Sequence, residues 1–371
     1  MPHILAVLMG VILLAFIVLE AFETIILPRT AARELRLIRL TGRIGWAVWS
    51  YCAQRMRSSS RRESFLSYFA PMQMPIVLGI WASGLICGFG LILWGIQAPI
   101  TGPVPYPSIG NYLYLSGTSF FTLGYGDLTP TRSLGRFFCV IESGFGVGFL
   151  AIVICYFPVL YGAFSRREVS ISLLDARAGT PPAAAEFLRR HSARDDVAAI
   201  PEVLREWEQW SAELLEAHLS YPVIAMYRSQ HDRESWLAAL TMVMDVCSLI
   251  LVGVDGIPDG QAKLTFAMAR HAAIDTGLVF NVTPIQPEND RLPAADYTSL
   301  QNTLSEAGIP LRDGVHAEQR LRDYRQLYEP YVNALSRRFL MELPPWTALP
   351  DAVDNWQTSA WNRETKGELH F

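Results

Sequence analysis

The sequence predicts an all-α membrane protein with three transmembrane helices, a short re-entrant helix between the second and third, and a helical C-terminal domain. Three observations carry this. The 371 residues are 51% hydrophobic and only 18% charged, with a mean hydropathy of +0.21, too apolar for an ordinary soluble enzyme. Segments 4–27, 75–96 and 134–164 each supply the roughly 20 apolar residues a bilayer core demands of a helix. Charge is segregated: residues 1–164 hold 11 Arg and 6 acids, net +5, and the remainder is net −9.

The acidic second half argues against nucleic acid as a partner, since phosphate binding needs clustered positive charge. The five cysteines (Cys52, Cys87, Cys139, Cys155, Cys247) are scattered, which suggests neither a disulfide framework nor a CxxC metal site and fits a reduced cytoplasmic setting for the second half.

The first apolar segment lacks a basic n-region and a small-residue cleavage site before Pro28, so it reads as a retained span rather than a signal peptide. Glu20, Glu23 and Thr24 near its end are expected to pair with Arg29 or Arg33 as an anchor rather than to bind ions. Nine arginines between positions 29 and 62 face only Glu34 and Glu63, which places this loop in the cytoplasm by the positive-inside rule. With three spans, the N-terminus and the 97–132 loop then face outside, and everything after Phe164 faces inside. Arg29, Arg33, Arg36, Arg39 and Arg43 recur every three or four residues, with Leu35, Ile38, Trp46 and Trp49 as an apolar side. That pattern suggests an amphipathic helix on the inner leaflet, its arginines near anionic lipid heads; the alternative is that the arginines only set topology.

In the outer loop, Pro99, Pro103, Pro105 and Pro107 forbid a regular helix before Ser108, a suitable N-cap for an apolar stretch over 109–121. About 13 residues are too few to span and suit a re-entrant helix, permitted at membrane depth only where protein or water satisfies the backbone that follows. The third span carries an internal Glu142, glycines at 144, 146 and 148, and Pro158 towards its end. An intramembrane carboxyl is a functional candidate by default: Glu142 is expected to hydrogen-bond the re-entrant helix or the backbone after it, and the plainer alternative is a structural bond only.

After the re-entrant helix comes Ser119-Phe-Phe-Thr-Leu-Gly-Tyr-Gly-Asp127, which resembles the selectivity filter of potassium channels, whose usual core reads Thr-Val-Gly-Tyr-Gly. Pro130, Gly135-Arg136 and Gly146 ten residues after that arginine resemble the spacing from filter to inner-helix hinge in two-helix potassium pores. The resemblance covers 75–164, about a quarter of the chain. It implies ion binding by Thr122, Leu123, Gly124, Tyr125 and Gly126, filter support by Asp127 and Glu142, and a hinge at Gly146, with Ala151, Ile154, Cys155 and Pro158 towards the gate. Tyr125 is then expected to point away from the pore and brace the filter. Carbonyl rings substitute for the water around K+, and Gly124 and Gly126 tolerate the left-handed backbone this needs. One filter per chain implies a homotetramer. Leu123 stands where Val is commoner, and the re-entrant helix carries Tyr112, Tyr114, Phe120 and Phe121 rather than paired tryptophans, so the bonds around Tyr125 stay unassigned. No arginine-repeat voltage sensor precedes the pore.

The domains expected are therefore a transmembrane helix over 1–28, a basic linker over 29–73, an ion-channel pore domain over 74–164 and a cytoplasmic helical domain over 165–371. Helices are expected at 183–191, 200–219, 235–254, 261–280 and 321–340. Residues 236–254 are apolar enough for a fourth span, but Asp245 at their middle favours a buried core helix. His191, His218, His231 and His271 lie on separate helices and are read as surface or core residues rather than a metal site. No catalytic constellation, GxGxxG fingerprint or cofactor cradle is evident, and no cofactor is expected. The function read from all this is passive K+ conduction across the plasma membrane of a bacterium; a poorly selective cation channel, or a membrane-anchored signalling protein with a non-conducting pore-like scaffold, are the alternatives. Neither the gating stimulus nor the ligand of the C-terminal domain is legible.

Overall fold

The computed structural model describes residues 1–25, 37–102, 107–193, 197–230, 233–254, 256–287, 289–311 and 315–349. In chain order its helices are α1 (Pro2–Ile25), α2 (Leu37–Gln54), α3 (Ser59–Ser67), α4 (Phe69–Gly95), α5 (Ile109–Phe120), α6 (Ser133–Ala178) and α7 (Ala184–Ala193). Then follow α8 (Ile200–Ser220), α9 (Trp236–Gly253), α10 (Asp259–Val279), α11 (Ala294–Glu306), α12 (Val315–Gln326) and α13 (Glu329–Phe339). Two two-residue strands, β1 (Ile100–Thr101) and β2 (Thr129–Pro130), pair antiparallel on either side of α5. The protein is an all-α membrane protein with this one small clip. The chain divides into two compact units: Met1–Arg55 with Tyr68–Gly162, and Met56–Ser67 with Ala163–Phe371.

In the first unit α1 packs along α4. A Cβ at Gly88 would lie 2.6 Å from Leu14, and one at Gly10 would lie 2.6 Å from the Gly88 carbonyl, so side-chain-free surfaces let the two backbones approach. Ile17, Val77, Trp81, Leu85 and Phe120 join α1, α4 and α5 in one apolar cluster. Glu20 is fully buried, and its Oε1 accepts the Ile38 N–H at 3.2 Å in the first turn of α2, where a helix leaves amide hydrogens unpaired. The partners expected of Glu20, Glu23 and Thr24 in the anchor role, Arg29 and Arg33, lie outside the described residues.

The apolar side expected of the amphipathic helix is corrected. Trp46 is buried against Phe69, with ring centroids 5.1 Å apart, so that side faces protein. A different stripe of α2, Leu40, Ile44, Val48 and Tyr51, is exposed.

Two of the expected boundaries move outward. The second span starts at Phe69 rather than at position 75, with Pro75 inside the helix. The third continues to Ala178 without interruption at Gly146 or Pro158. At about 1.5 Å per residue, α6 is more than twice as long as a bilayer core of about 30 Å is thick.

The second unit is built around α9, every residue of which is buried, by α7, α8, α10, α12 and α13. Ser235 caps it by accepting the Ala238 N–H at 3.0 Å. Asp245 at its centre is met by Arg291 (Nη2 to Oδ2 2.6 Å) and by the Tyr328 hydroxyl. Arg291 and Arg325 in turn reach Glu329 at 3.2 and 3.0 Å, so the buried charges are paired. Asp245 and Tyr328 hold the Arg291 guanidinium above its usual range. The single helix expected at 321–340 is two, α12 and α13. Pro330 near the start of α13 has no N–H to continue the first, and Leu327 and Tyr328 turn between them. Helix α11, with few apolar residues, was not expected.

The second unit also contains α3, from the linker expected over 29–73. Leu66 is fully buried there, Glu63 pairs with Arg228 at 3.4 Å, and Arg62 pairs with Glu342 at 3.0 Å.

Candidate functional site

The segment that ends α5 and opens α6 concentrates the polar chemistry of the first unit. Ser108 begins α5, and the Asn111 Oδ1 accepts its backbone N–H at 2.9 Å, which fixes the helix start. At the other end, the Thr122 and Leu123 amides bond back to the Ser119 carbonyl at 3.1 Å and the Thr118 carbonyl at 2.8 Å, so the chain leaves the helix through a tight turn. Thr122, Gly124 and Gly126 then take positive φ values of 54°, 59° and 77°, with Leu123 and Tyr125 outside that region between them. Glycine adopts this backbone freely, whereas a β-branched threonine does so only under constraint. The sequence pointed to the two glycines and not to Thr122.

The bases of this segment are held from several directions. The Tyr114 hydroxyl faces the Asp127 carboxylate beside the filter-like stretch. Tyr112 donates to the Ala98 carbonyl at 3.0 Å. Downstream, Arg136 Nε donates to the Pro130 carbonyl at 3.1 Å, while β1 and β2 clip the two arms of the loop together. Residues 121–127 themselves are uncovered in the single chain, with Tyr125 68% exposed.

Helix α6 presents two contrasting faces here. Val147, Ala151, Ile154, Cys155 and Pro158 fall within about 100° of one another at 3.6 residues per turn, and all are exposed. On the other side Glu142 is fully buried, and the Ser116 hydroxyl lies in hydrogen-bond contact with its Oε1. Ser143 donates to the Ser119 carbonyl at 2.9 Å. Gly146 packs so tightly that an added Cβ would lie 1.8 Å from the Phe120 carbonyl oxygen. The expected hinge glycine is therefore, in this conformation, a close-contact glycine within a continuous helix. Sequence reading missed Ser116, Ser143 and Tyr114. Hydroxyls in apolar helices carry no signal of their partners until the packing is known.

In the second unit the candidate histidines lie apart from one another. His191 is bonded to the Phe187 carbonyl at 2.8 Å, His218 faces Thr276 at 3.2 Å and His271 approaches Asp275 at 3.5 Å. His231 lies outside the described residues. Among the described residues no group of three His, Cys, Asp or Glu side chains could hold a metal ion.

Residues 86–160 match the family model described as "Ion channel". The chain is 23% identical over 317 residues to the "Uncharacterized membrane protein YdjJ" of Bacillus subtilis (strain 168), covering 83% of this chain and 86% of that protein. It is 32% identical over 88 residues to "Protein LctB" of Geobacillus stearothermophilus, an alignment spanning 21% of this chain and 65% of that relative's length. No solved structure matches. The family match indicates an ion channel.

Proposed function

We propose that four copies of this chain form a potassium-selective channel that conducts K+ passively across a bacterial plasma membrane. The observation that carries this reading is the alternation of left-handed residues at 122, 124 and 126, directly after a 12-residue helix flanked by two long apolar helices. Alternating handedness turns successive carbonyls towards one side, and stacked rings of such carbonyls replace the hydration shell of a potassium ion. One chain brings one strand, so a fourfold ring takes four chains. The uncovered filter segment and the uncovered face of α6 support this, being surfaces that neighbouring copies would cover.

On this reading Leu123, Gly124, Tyr125 and Gly126 supply carbonyl rings, and Thr122 adds a hydroxyl below them. Asp127 and Glu142 support the filter from behind, and Ala151, Ile154, Cys155 and Pro158 line the lower cavity and gate. Gly146 remains the proposed hinge. The N-terminus faces outside and the C-terminal domain the cytoplasm. The inclusion of α3 in the second unit supports that topology: α4 and α6 are the two crossings between α3 and Ala163, and two crossings return the chain to the side it left. The complete burial of α9 by its own unit supports three spans rather than four. Exposed Leu40, Ile44, Val48 and Tyr51 beside the basic loop support contact of α2 with anionic lipid, with Arg29, Arg33, Arg36, Arg39 and Arg43 at the headgroups.

The test is potassium flux into proteoliposomes. Wild type is expected to pass K+ and not Na+, and Gly124→Asp, which puts a branched carboxylate on a left-handed position, is expected to abolish flux. Equal reversal potentials in potassium and sodium would leave a poorly selective cation channel, and no flux of either ion would leave a membrane-anchored scaffold.

A further inference from the structure

The buried face of α6 holds chemistry that carbonyl rings on the opposite side do not require. Glu142 has no exposed surface and meets the Ser116 hydroxyl through Oε1, while its Oε2 is buried without a hydrogen-bond partner among the described residues. The same Ser116 Oγ lies 2.7 Å from the Ile86 carbonyl oxygen of α4. A serine hydroxyl has one hydrogen to give, and a backbone carbonyl has none. A single hydrogen shared between two acceptors bonds each weakly, as at Ser143, whose hydroxyl lies 2.9 Å from the Ser119 carbonyl and 3.0 Å from that of Cys139, whereas an acid proton on Glu142 would give each Ser116 contact its own hydrogen.

We propose that Glu142 is a neutral carboxylic acid that donates to Ser116, which donates in turn to Ile86, and that this relay is a positioning element tying α4, α5 and α6 together beneath the filter. An ionised Glu142 would set two acceptors against one hydrogen and leave a charged oxygen buried without a donor, an arrangement of high cost in an apolar surrounding. Among the described residues no ion pair forms at Glu142, and the titratable neighbour on its own helix is Cys139, which lies against Ser119. The relay sits among two further grips on the same turn of α5: Ser143 on the Ser119 carbonyl, and Gly146 beneath Phe120. Since the Thr122 and Leu123 amides hang from Ser119 and Thr118, the grip reaches the first filter residues within one turn.

The inference rests on the potassium-filter reading for its effect on conduction, but the protonation of Glu142 is measurable apart from it. Isotope-edited infrared difference spectra of the full-length protein in lipid, wild type minus Glu142→Gln, are expected to show a protonated carboxyl C=O band at neutral pH. A carboxylate signature in its place overturns the proposal whatever the flux. In flux measurements Glu142→Gln keeps an N–H donor towards Ser116 and is expected to retain conduction. Glu142→Ala and Ser116→Ala each break the relay and are expected to lower flux roughly tenfold, the scale of one lost buried hydrogen bond, and Glu142→Ala/Ser116→Ala is expected to lose no more than either alone. Additive losses, or Glu142→Gln as impaired as Glu142→Ala, overturn the donor role. A protonated band in a wild type that passes no ion would instead sink the channel reading and leave the assignment of the proton standing.

Discussion

Helices α6 and α9 carry almost equally apolar stretches, yet that of α6 is mostly uncovered within the chain and that of α9 is wholly buried. Hydropathy states that a surface must leave water. It does not state what removes it. Each helix also carries a carboxyl within its apolar stretch, and the two are treated differently: Asp245 meets a guanidinium and a phenol, whereas Glu142 meets a single serine hydroxyl. A helix packed inside its own unit can recruit distant charges such as Arg291, 46 positions away. One that faces lipid or sister chains has only what the adjoining helices bring.

The sharpest way to break this comparison is at Asp245. Asp245→Ala leaves Arg291 buried without its main partner and is expected to cost about 3–5 kcal/mol of stability, read as a lowered thermal midpoint of the purified protein. Little change there would mean that the ion pair is dispensable and the two carboxyls are more alike than they look. Next in size, Leu249→Ala in α9, fully buried, is expected to cost about 2–5 kcal/mol. Leu150→Ala in α6, 58% exposed, is expected to leave the stability of the separate chain within about 0.5 kcal/mol. A large loss at Leu150 that appears only in the assembled state would sharpen the contrast, since sister chains would then be covering that face.

A pH-dependent effect concerns His218 in the second unit, buried with its Nδ1 facing Thr276 and its ring edge-on to Trp236. Burial, and then Arg167, hold its pKa well below the usual histidine value. The unfolded chain takes up a proton below pH about 6.5 while the folded one does not, so stability falls with acidification by about 1.4 kcal/mol per pH unit in that window. Glu234, pushed up to about 7 by burial and by Asp175 and Glu168, has the opposite slope, retaining its proton when folded and gaining stability as pH falls. Urea midpoints at pH 7, 6 and 5 should therefore be compared between wild type and His218→Gln, whose difference isolates the histidine. Parallel profiles would show that His218 does not titrate differently on folding.

What was legible in the sequence follows the same division. The filter-like turn could be read because its demands are local: a proline-bounded start, Ser108, a short apolar helix, and glycines where φ is positive. The long apolar helices could be read because each run is continuously apolar over the length a bilayer core demands. Their ends could not, since Pro75 and Pro158 sit inside long helices whose neighbours and preceding turns tolerate a missing donor. Thr122 gave no sign of its left-handed backbone, which the turn after α5 imposes. The partners of Glu20 and Glu142 were equally hidden, because Ile38 and Ser116 come close only once helices pack. The apolar side assigned to α2 was a true apolar side facing the wrong medium, which is again the lesson of α6 and α9.

Helix α3 has a mechanical corollary. Because residues 56–67 fold with the C-terminal unit, that unit is wired by continuous polypeptide to the head of α4 at Tyr68 as well as to α6 at Gly162. On the proposed channel reading, a twist generated within it would act on both long helices. A chain trimmed after Gly162 would cut α6 short of Ala178 and remove Arg228, which pairs with Glu63.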